Sequence, residues 1–276
     1  MYNFRTDLAL ERRDIYREIN NLKEIDGIDT EETPINENIK VSKVKVTNSN
    51  GEQAIGKPVG TYVTIDVKNL KIAQDEEIQK TSETLSSELK HIIDEHVDKQ
   101  EEILIVGLGN IYVTPDSLGP KVTNEIDVTR HIIKYLPQYV EKGTRSVSAV
   151  APGVLGTTGI ETLEILKGIT DNVKPKLLVV IDALATRSLE RISSTIQISD
   201  TGIVPGAGVG NKRQEISQNT LGVPVIAIGI PTVVELATIV PAEELGDNNM
   251  IVTPKEIDDL IEKMKDIVAR GINFAV

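Results

Sequence analysis

The sequence predicts an α/β protein, a three-layer α/β/α sandwich with a mostly parallel central sheet, carrying an N-terminal helix and a β-hairpin ahead of it. Three observations support this. Short apolar runs, ILIVGL (residues 103–108), KLLVVID (176–182) and VPVIAIGI (223–230), are too brief for helices and too apolar to alternate, which is how strands covered on both faces read. Between them lie TNEIDVTRHIIKYL and GIETLEILKGITDNV, each long enough for a crossover helix. With 276 residues, 39% hydrophobic and 26% charged, the chain can bury a full core.

Taken in order, residues 8–24 set Leu8, Ile15, Ile19 and Leu22 at helical spacing, an amphipathic helix after a short polar tail. DGIDTEETPINEN has the composition of a surface loop. IKVSKVKVT, with Val41, Val44 and Val46, and TYVTIDV, from Tyr62 to Val67, read as two strands. The turn residues Asn48-Ser49-Asn50-Gly51 lie between them, so residues 39–68 form a hairpin with a long connection. Residues 74–99, dense in Glu, Lys and Ser around Ile78, Leu85, Leu89 and Ile92, read as one long, exposed, acidic helix. TPKEIDDLIEKMKDIVAR closes the chain as a capped helix. No repeat or linker interrupts it, so one domain with an N-terminal appendage is expected.

Composition excludes several functions. There is no cysteine, hence no disulfide framework, thiolate zinc site, iron–sulfur cluster or cysteine nucleophile, and a reducing compartment fits. Lys+Arg 30 against Asp+Glu 42 gives a formal charge of -12, and aromatics are 3%, which disfavours direct nucleic-acid binding. Asp7 and Glu11 stand where a signal peptide needs apolar residues, and no run approaches the roughly 20 residues of a membrane span; a cytoplasmic protein without a membrane partner is expected.

In an open parallel sheet the ligand crevice forms from loops leaving the carboxyl ends of the strands. Two such loops are GLGNIYVTPDSLGP (107–120) and the one beginning at Asp182 in VIDALATRS. If their strands are neighbours, Asp116 and Asp182 share one rim. Two carboxylates held together cannot both ionise cheaply, so the pair retains one proton: one member can activate water while the other donates, as amide hydrolysis without a metal or covalent intermediate requires. The competing readings are structural. Asp116 follows a proline ahead of a helix and suits an N-cap, and Asp182 could pair with Arg187 or Arg191. Asp200 in QISDTG is a reserve candidate whose plainer reading is a turn carboxylate. The loops APGVLGTTG (151–159) and PGAGVGNKR (205–213) should flank the crevice, with Gly153, Gly156, Lys212 and Arg213 meeting substrate.

Other patterns carry less. PGAGVGNKR lacks the Gly-Lys-Ser/Thr of a phosphate loop, GLGNIY lacks the third glycine of a dinucleotide fingerprint, and no GxSxG elbow occurs. His91 and His96, five apart, share no helical face, and His131 reads as a packed or surface residue. No cofactor is expected.

At these same loops the chain resembles the germination proteases of endospore-forming bacteria. The resemblance is carried by FRTDLALE, VGLGN with VTPDSLGP, APGVLGTTGIET, VIDALATRSLERI, TIQISDTGI with PGAGVGNKR, LGVPVIAIGIPTVV and MIVTPKEID, which together cover most of the chain from Ile103 onward. It implies an atypical aspartic endopeptidase, related in fold to hydrogenase maturation proteases, that cuts small acid-soluble spore proteins during germination in the forespore or spore core. It also implies a homotetramer made as a zymogen, with catalytic aspartates at Asp116 and Asp182. Between PTVVELATIV and NNMIVTPKE the family pattern carries a longer segment than the one present here. TDLALE repeats the substrate pattern of an acid, a large apolar residue, alanine and a further glutamate. A propeptide of residues 1–7, cut between Asp7 and Leu8 by the enzyme acting on its own kind, is therefore expected, with residues 8–276 as the peptidase domain. Two alternatives remain: a metal-dependent maturation-type protease using the same aspartates, and a non-catalytic module that binds spore proteins.

Overall fold

The computed structural model describes residues 6–209, 213–236, 239–240 and 250–276. Its frame is one nine-stranded sheet. The strands are β1 (Ile28–Pro34), β2 (Ile39–Val46), β3 (Gly60–Val67), β4 (Ile103–Gly107), β5 (Val147–Val150), β6 (Leu177–Thr186), β7 (Thr195–Ser199), β8 (Val225–Glu235) and β9 (Ile251–Val252). They run in the order β1-β2-β3-β7-β8-β6-β4-β5, with β9 on β8.

The three apolar runs are indeed neighbours: β4 pairs with β6 and β6 with β8, all parallel, and β5 extends this block. Sheet parallelism stops at β8. From there β7, β3, β2 and β1 pair antiparallel, so the hairpin expected as an appendage is a continuous wing of the same sheet, and the sheet as a whole is mixed. The acid-rich segment read as a loop supplies β1, the outermost strand. All its residues but Ile28 are exposed, so it has no apolar alternation to betray it. The turn residues at 48–51 instead open helix α2 (Ser49–Ile55): Asn48 Oδ1 accepts the N–H groups of Asn50 and Gly51, an N-cap between β2 and β3.

Alternation along the strands sorts residues onto two faces. Ile103, Ile105, Leu177, Val179, Ile181, Ile226, Ile228 and Ile230 point into the larger core. There they meet α3 (Asp75–His96), α4 (Leu118–Thr123) and α9 (Ile257–Ala275), numbered in chain order among the described helices. Leu104, Val106, Leu178, Val180 and Val225 face the other way, onto α7 (Thr162–Val173). Val44, Val46 and Tyr62 extend that second face beneath α1 (Ala9–Asn20) and α2. Helices therefore cover both sides, the three layers that the sequence predicts.

The helix α3 departs from the exposed helix of the sequence reading. Its Leu85, Leu89, Ile92 and Ile93 are buried, and α9 packs along it with Leu85 lying over Gly271, where a Cβ would collide with the leucine. The charged residues form only its outer stripe. Burying each such leucine contributes about 1.5–3 kcal/mol. The closing helix α9 starts at Ile257 without a side-chain cap, because Thr253 donates its hydroxyl to the Thr232 carbonyl on β8 instead.

Candidate active site

At the carboxyl ends of β4 and β6 the chain leaves the sheet around a cleft of about 540 Å³, where the topology of a parallel sheet places ligands. Asp116 and Asp182 both line it. Asp116 reaches the rim because the loop after β4 folds back on itself. Gly109 lies at φ +113°, open to glycine, and a Cβ there would strike the Asp116 carbonyl. Gly119 closes the return, with no room for a side chain between its backbone and that of Leu108 and Ile181. Asp116 Oδ2 accepts the Asn110 N–H at 2.8 Å, so the carboxylate braces its own loop. It is not the cap of α4, whose N-cap position is Ser117.

Asp182 comes from β6 itself, on the same face as Leu178 and Val180, and is 4% exposed. Its Oδ1 accepts the Ala183 N–H at 3.0 Å, while the buried Oδ2 has no partner among the described residues. The ion pair with Arg191 does not form: that guanidinium bonds Asp66 at 2.8 Å and reaches Glu11 at 3.6 Å. Arg187 offers its backbone N–H to Glu11. Burial, then the charge of Asp116, then that of Asp7, holds the Asp182 carboxyl well above the usual carboxylate range. Burial also raises Asp116, and the Asn110 N–H opposes that rise. The two environments differ in the way that separates an acid from a base: one oxygen of Asp182 is desolvated and unpartnered, whereas the Asp116 carboxylate keeps a donor.

The N-terminal segment enters this cleft. Asp7 lines it, with its N–H on the Ala185 carbonyl and its Oδ2 accepting the Ala185 N–H, both at 3.0 Å. Thr6, Asp7 and Leu8 are 0%, 6% and 0% exposed, so the expected exposed tail is a buried strap at these residues. The strap is anchored by Glu11, whose carboxylate accepts the hydroxyls of Thr6 and Thr186 and the Arg187 N–H. Gln197 on β7 accepts the Ala9 N–H at 2.7 Å. A sequence pattern cannot show this, because TDLALE reads equally well as the first turn of a helix.

The remaining candidates divide. Gly153 lines the cleft; Gly156 is exposed on the short helix α6 (Leu155–Thr158) and does not. Arg213 lines it and is ion-paired to Glu161 at 3.3 Å, a partner the sequence left unnoticed. Lys212 and residues 241–249 of the shortened segment lie outside the described residues. Asp200 Oδ1 accepts the Thr61 N–H at 2.8 Å, tying β3 to the turn after β7 away from the cleft. His91, His96 and His131 are exposed. The glycine loop adds a residue missed in the sequence: a Cβ on Gly208 would collide with Asp7 Oδ2, so this position must be bare for the strap to seat. Among the described residues no three His, Asp or Glu side chains converge as a metal cluster, the three aspartates of the cleft included.

The parallel block with a carboxylate-lined cleft at its strand ends is the arrangement of an α/β enzyme whose site the N-terminal strap enters. The chain belongs to the germination protease family, whose model matches residues 6–243, and is thus a peptidase that acts in germination. Germination proteases of Clostridium perfringens and Caldanaerobacter subterraneus are 44% and 46% identical to it. The alignments cover 100% and 99% of this chain and 96% and 94% of the relatives. That of Priestia megaterium is 38% identical over 100% of this chain and 94% of its own. A [NiFe] hydrogenase maturation protease from Thermococcus kodakarensis matches 64% of this chain and 98% of its own at 19% identity and a TM-score of 0.35.

Proposed function

We propose that this germination protease cuts small acid-soluble spore proteins with water activated between Asp116 and Asp182. The observation that carries this is the meeting of both carboxylates in one cleft, Asp116 from the loop after β4 and Asp182 from the adjacent parallel strand β6, each raised by burial. Asp116, held as the anion by the Asn110 N–H, takes a proton from the attacking water. Asp182, holding the shared proton, hydrogen-bonds the substrate carbonyl oxygen as negative charge develops there and then gives that proton to the departing amine. Each carboxylate ends the cycle in the state in which its partner began, and solvent exchange resets the pair.

Residues 1–7 act as a propeptide in this reading and residues 8–276 as the peptidase. The support is the strap: Asp7 occupies the substrate cleft, which keeps the uncut chain inactive as a zymogen until the bond to Leu8 is broken. The homotetramer and the forespore setting belong to the same reading and rest on family membership. Cleavage of a purified small acid-soluble spore protein by the wild-type chain, Asp116→Asn and Asp182→Asn, with and without chelator, tests it. Loss of cleavage in both variants and indifference to chelator are expected. Abolition by chelator would give the site to a metal, and substrate binding without cleavage would make the chain a binding module.

A further inference from the structure

Gln197 on β7 is 7% exposed, and the strap meets its amide at both ends. Oε1 accepts the Ala9 N–H at 2.7 Å, and Nε2 donates to the Asp7 carbonyl at 3.4 Å. These two partners fix the orientation of the amide: turned over, it would set its NH2 against an N–H and its oxygen against an oxygen. The neighbouring carbonyls are bonded elsewhere, that of Thr6 to Arg12 Nε and that of Leu8 to the Arg12 N–H. Gln197 therefore spans the Asp7–Leu8 bond, holding the carbonyl on its acyl side and the N–H one residue beyond its leaving nitrogen.

The sheet sets Asp182 opposite. Gln197 pairs with Gly229 across β7 and β8, and Gly229 pairs with Asp182 across β8 and β6, so the three occupy one row. Ile196 and Ile198 point into the larger core, which turns Gln197 to the other face, that of Val180 and Asp182. The middle position is a bare glycine with Leu184 lying over it. Two strand spacings separate the outer Cα atoms by about 10 Å. Gln197 lines a second cavity, of about 140 Å³, and Asp182 lines the cleft; Asp7 lines both, and so stands between the two side chains.

We infer that Gln197 is a second donor to the carbonyl oxygen of the bond being cut, a role that rests on the proposed cleavage between Asp7 and Leu8 and adds a residue to its chemistry. When water attacks the Asp7 carbonyl carbon, the π pair of the C=O bond moves onto oxygen. The Gln197 proton stays on its nitrogen, and the contact shortens from its resting 3.4 Å as the charge gathers. A donor that is distant from the ground state and close to the tetrahedral state lowers the barrier instead of tightening binding. Ala9 supplies the aim and stays after the cut, since the mature chain begins at Leu8, so the amide keeps its direction for the substrates that follow.

The first-order cut of the Asp7–Leu8 bond in the full chain tests this. Gln197→Met, similar in length and without either polar end, should slow it about a hundredfold or more, the size of a lost oxyanion donor. Ala9→Pro removes only the N–H that aims the amide, at the first helical position and after an already extended Leu8, where proline is tolerated, and should slow it about tenfold. Both changes together should be no slower than Gln197→Met alone. In the inactive Asp182→Asn background, Gln197→Met should leave hydrogen exchange at the Ala185 amide within about twofold, because Asp7 is still docked on β6. A loss of that protection equal to the loss of rate makes Gln197 a prop for the strap and overturns the role, as do additive losses or an unchanged rate. On chains matured by a tagged trace of wild type, the loss for an added TDLALE peptide should fall on kcat, with KM within about threefold, and a change in KM alone also overturns the role. Full-rate cutting by Gln197→Met while Asp182→Asn is inert sinks this role alone, whereas a wild-type chain that leaves the Asp7–Leu8 bond intact sinks the self-cleavage reading on which it rests.

Discussion

Asp7 and Ala185 are joined twice, backbone N–H to carbonyl in one direction and backbone N–H to side-chain carboxylate in the other, each at 3.0 Å. The strap thus adds to the end of β6 much as a peptide adds to an exposed strand, and the side chain makes the second contact. Asp7→Ala removes that contact. Hydrogen exchange at the Ala185 amide should then accelerate about five- to tenfold, the value of roughly 1 kcal/mol of net hydrogen bonding. Gly208→Ala should do at least as much with Asp7 intact, because its methyl takes the space of the carboxylate. Unchanged protection in both variants contradicts the docked strap.

The Asp182 carboxyl makes the site costly to fold. Its folded pKa lies above the unfolded one, so the stability it contributes is complete below the unfolded pKa of about 3.9 and is lost as pH rises through the folded value. Asp182→Asn is neutral at every pH. It should match wild type near pH 3 and melt higher at pH 7, by about 2–4 °C for each kcal/mol recovered, while peptidase activity falls at least about a hundredfold. Calorimetry at the two pH values checks the sign: a variant that loses ground as pH rises removes the buried-acid argument.

The same shifts set the pH dependence of cleavage. Activity fails on the acid side when Asp116 is also protonated and on the alkaline side when the pair loses its last proton, a bell whose limbs belong to the dyad. Both groups are raised, so the bell should lie at higher pH than two ordinary carboxylates would give. Asp7 contributes to the rise at Asp182 only until the strap is cut, so the alkaline limb should move to lower pH between strap cleavage in the uncut chain and substrate cleavage by the mature enzyme. A profile of kcat/KM against pH that leaves this limb in place assigns it to another group.

Much of this arrangement is legible in residues alone. Buried parallel strands need near-continuous apolar runs, so β4, β6 and β8 declare themselves, and the rule that ligands gather at strand ends leads from them to Asp116 and Asp182. The edge strand β1 does not, because a strand exposed on both faces has no pattern beyond its backbone pairing. The buried face of α3 was hidden by composition: seventeen polar residues on a long helix outweigh five apolar ones unless their spacing is followed through to a partner helix. The strap was out of reach for another reason. Asp7 and Ala185 are joined by contacts between residues 178 apart, and Gly208 shows its importance only once Asp7 is known to press on it.

The strap also fixes how its own removal should proceed. Asp7 lines the cleft with Asp116 and Asp182 of the same chain and is held by Ala185, while Arg12 and Glu11 hold the preceding Thr6, so the bond to Leu8 is delivered by folding rather than offered as a free tail. Cleavage between Asp7 and Leu8 should then be first order, with a half-time unchanged over about a hundredfold range of protein concentration, because the reacting groups are already neighbours. Full-length Asp182→Asn, mixed with a trace of mature wild type, should be processed slowly: its own strap must first leave a site where Thr6 and Leu8 are fully buried. Adding Gly208→Ala to that inactive chain should speed its processing in trans, since the strap is loosened without any change at the aspartates. Mass spectrometry of the products decides each point. A mature first residue other than Leu8, or a half-time that shortens in proportion to concentration, rules out self-cleavage within one chain and leaves the peptidase assignment to be judged on Asp116 and Asp182 alone.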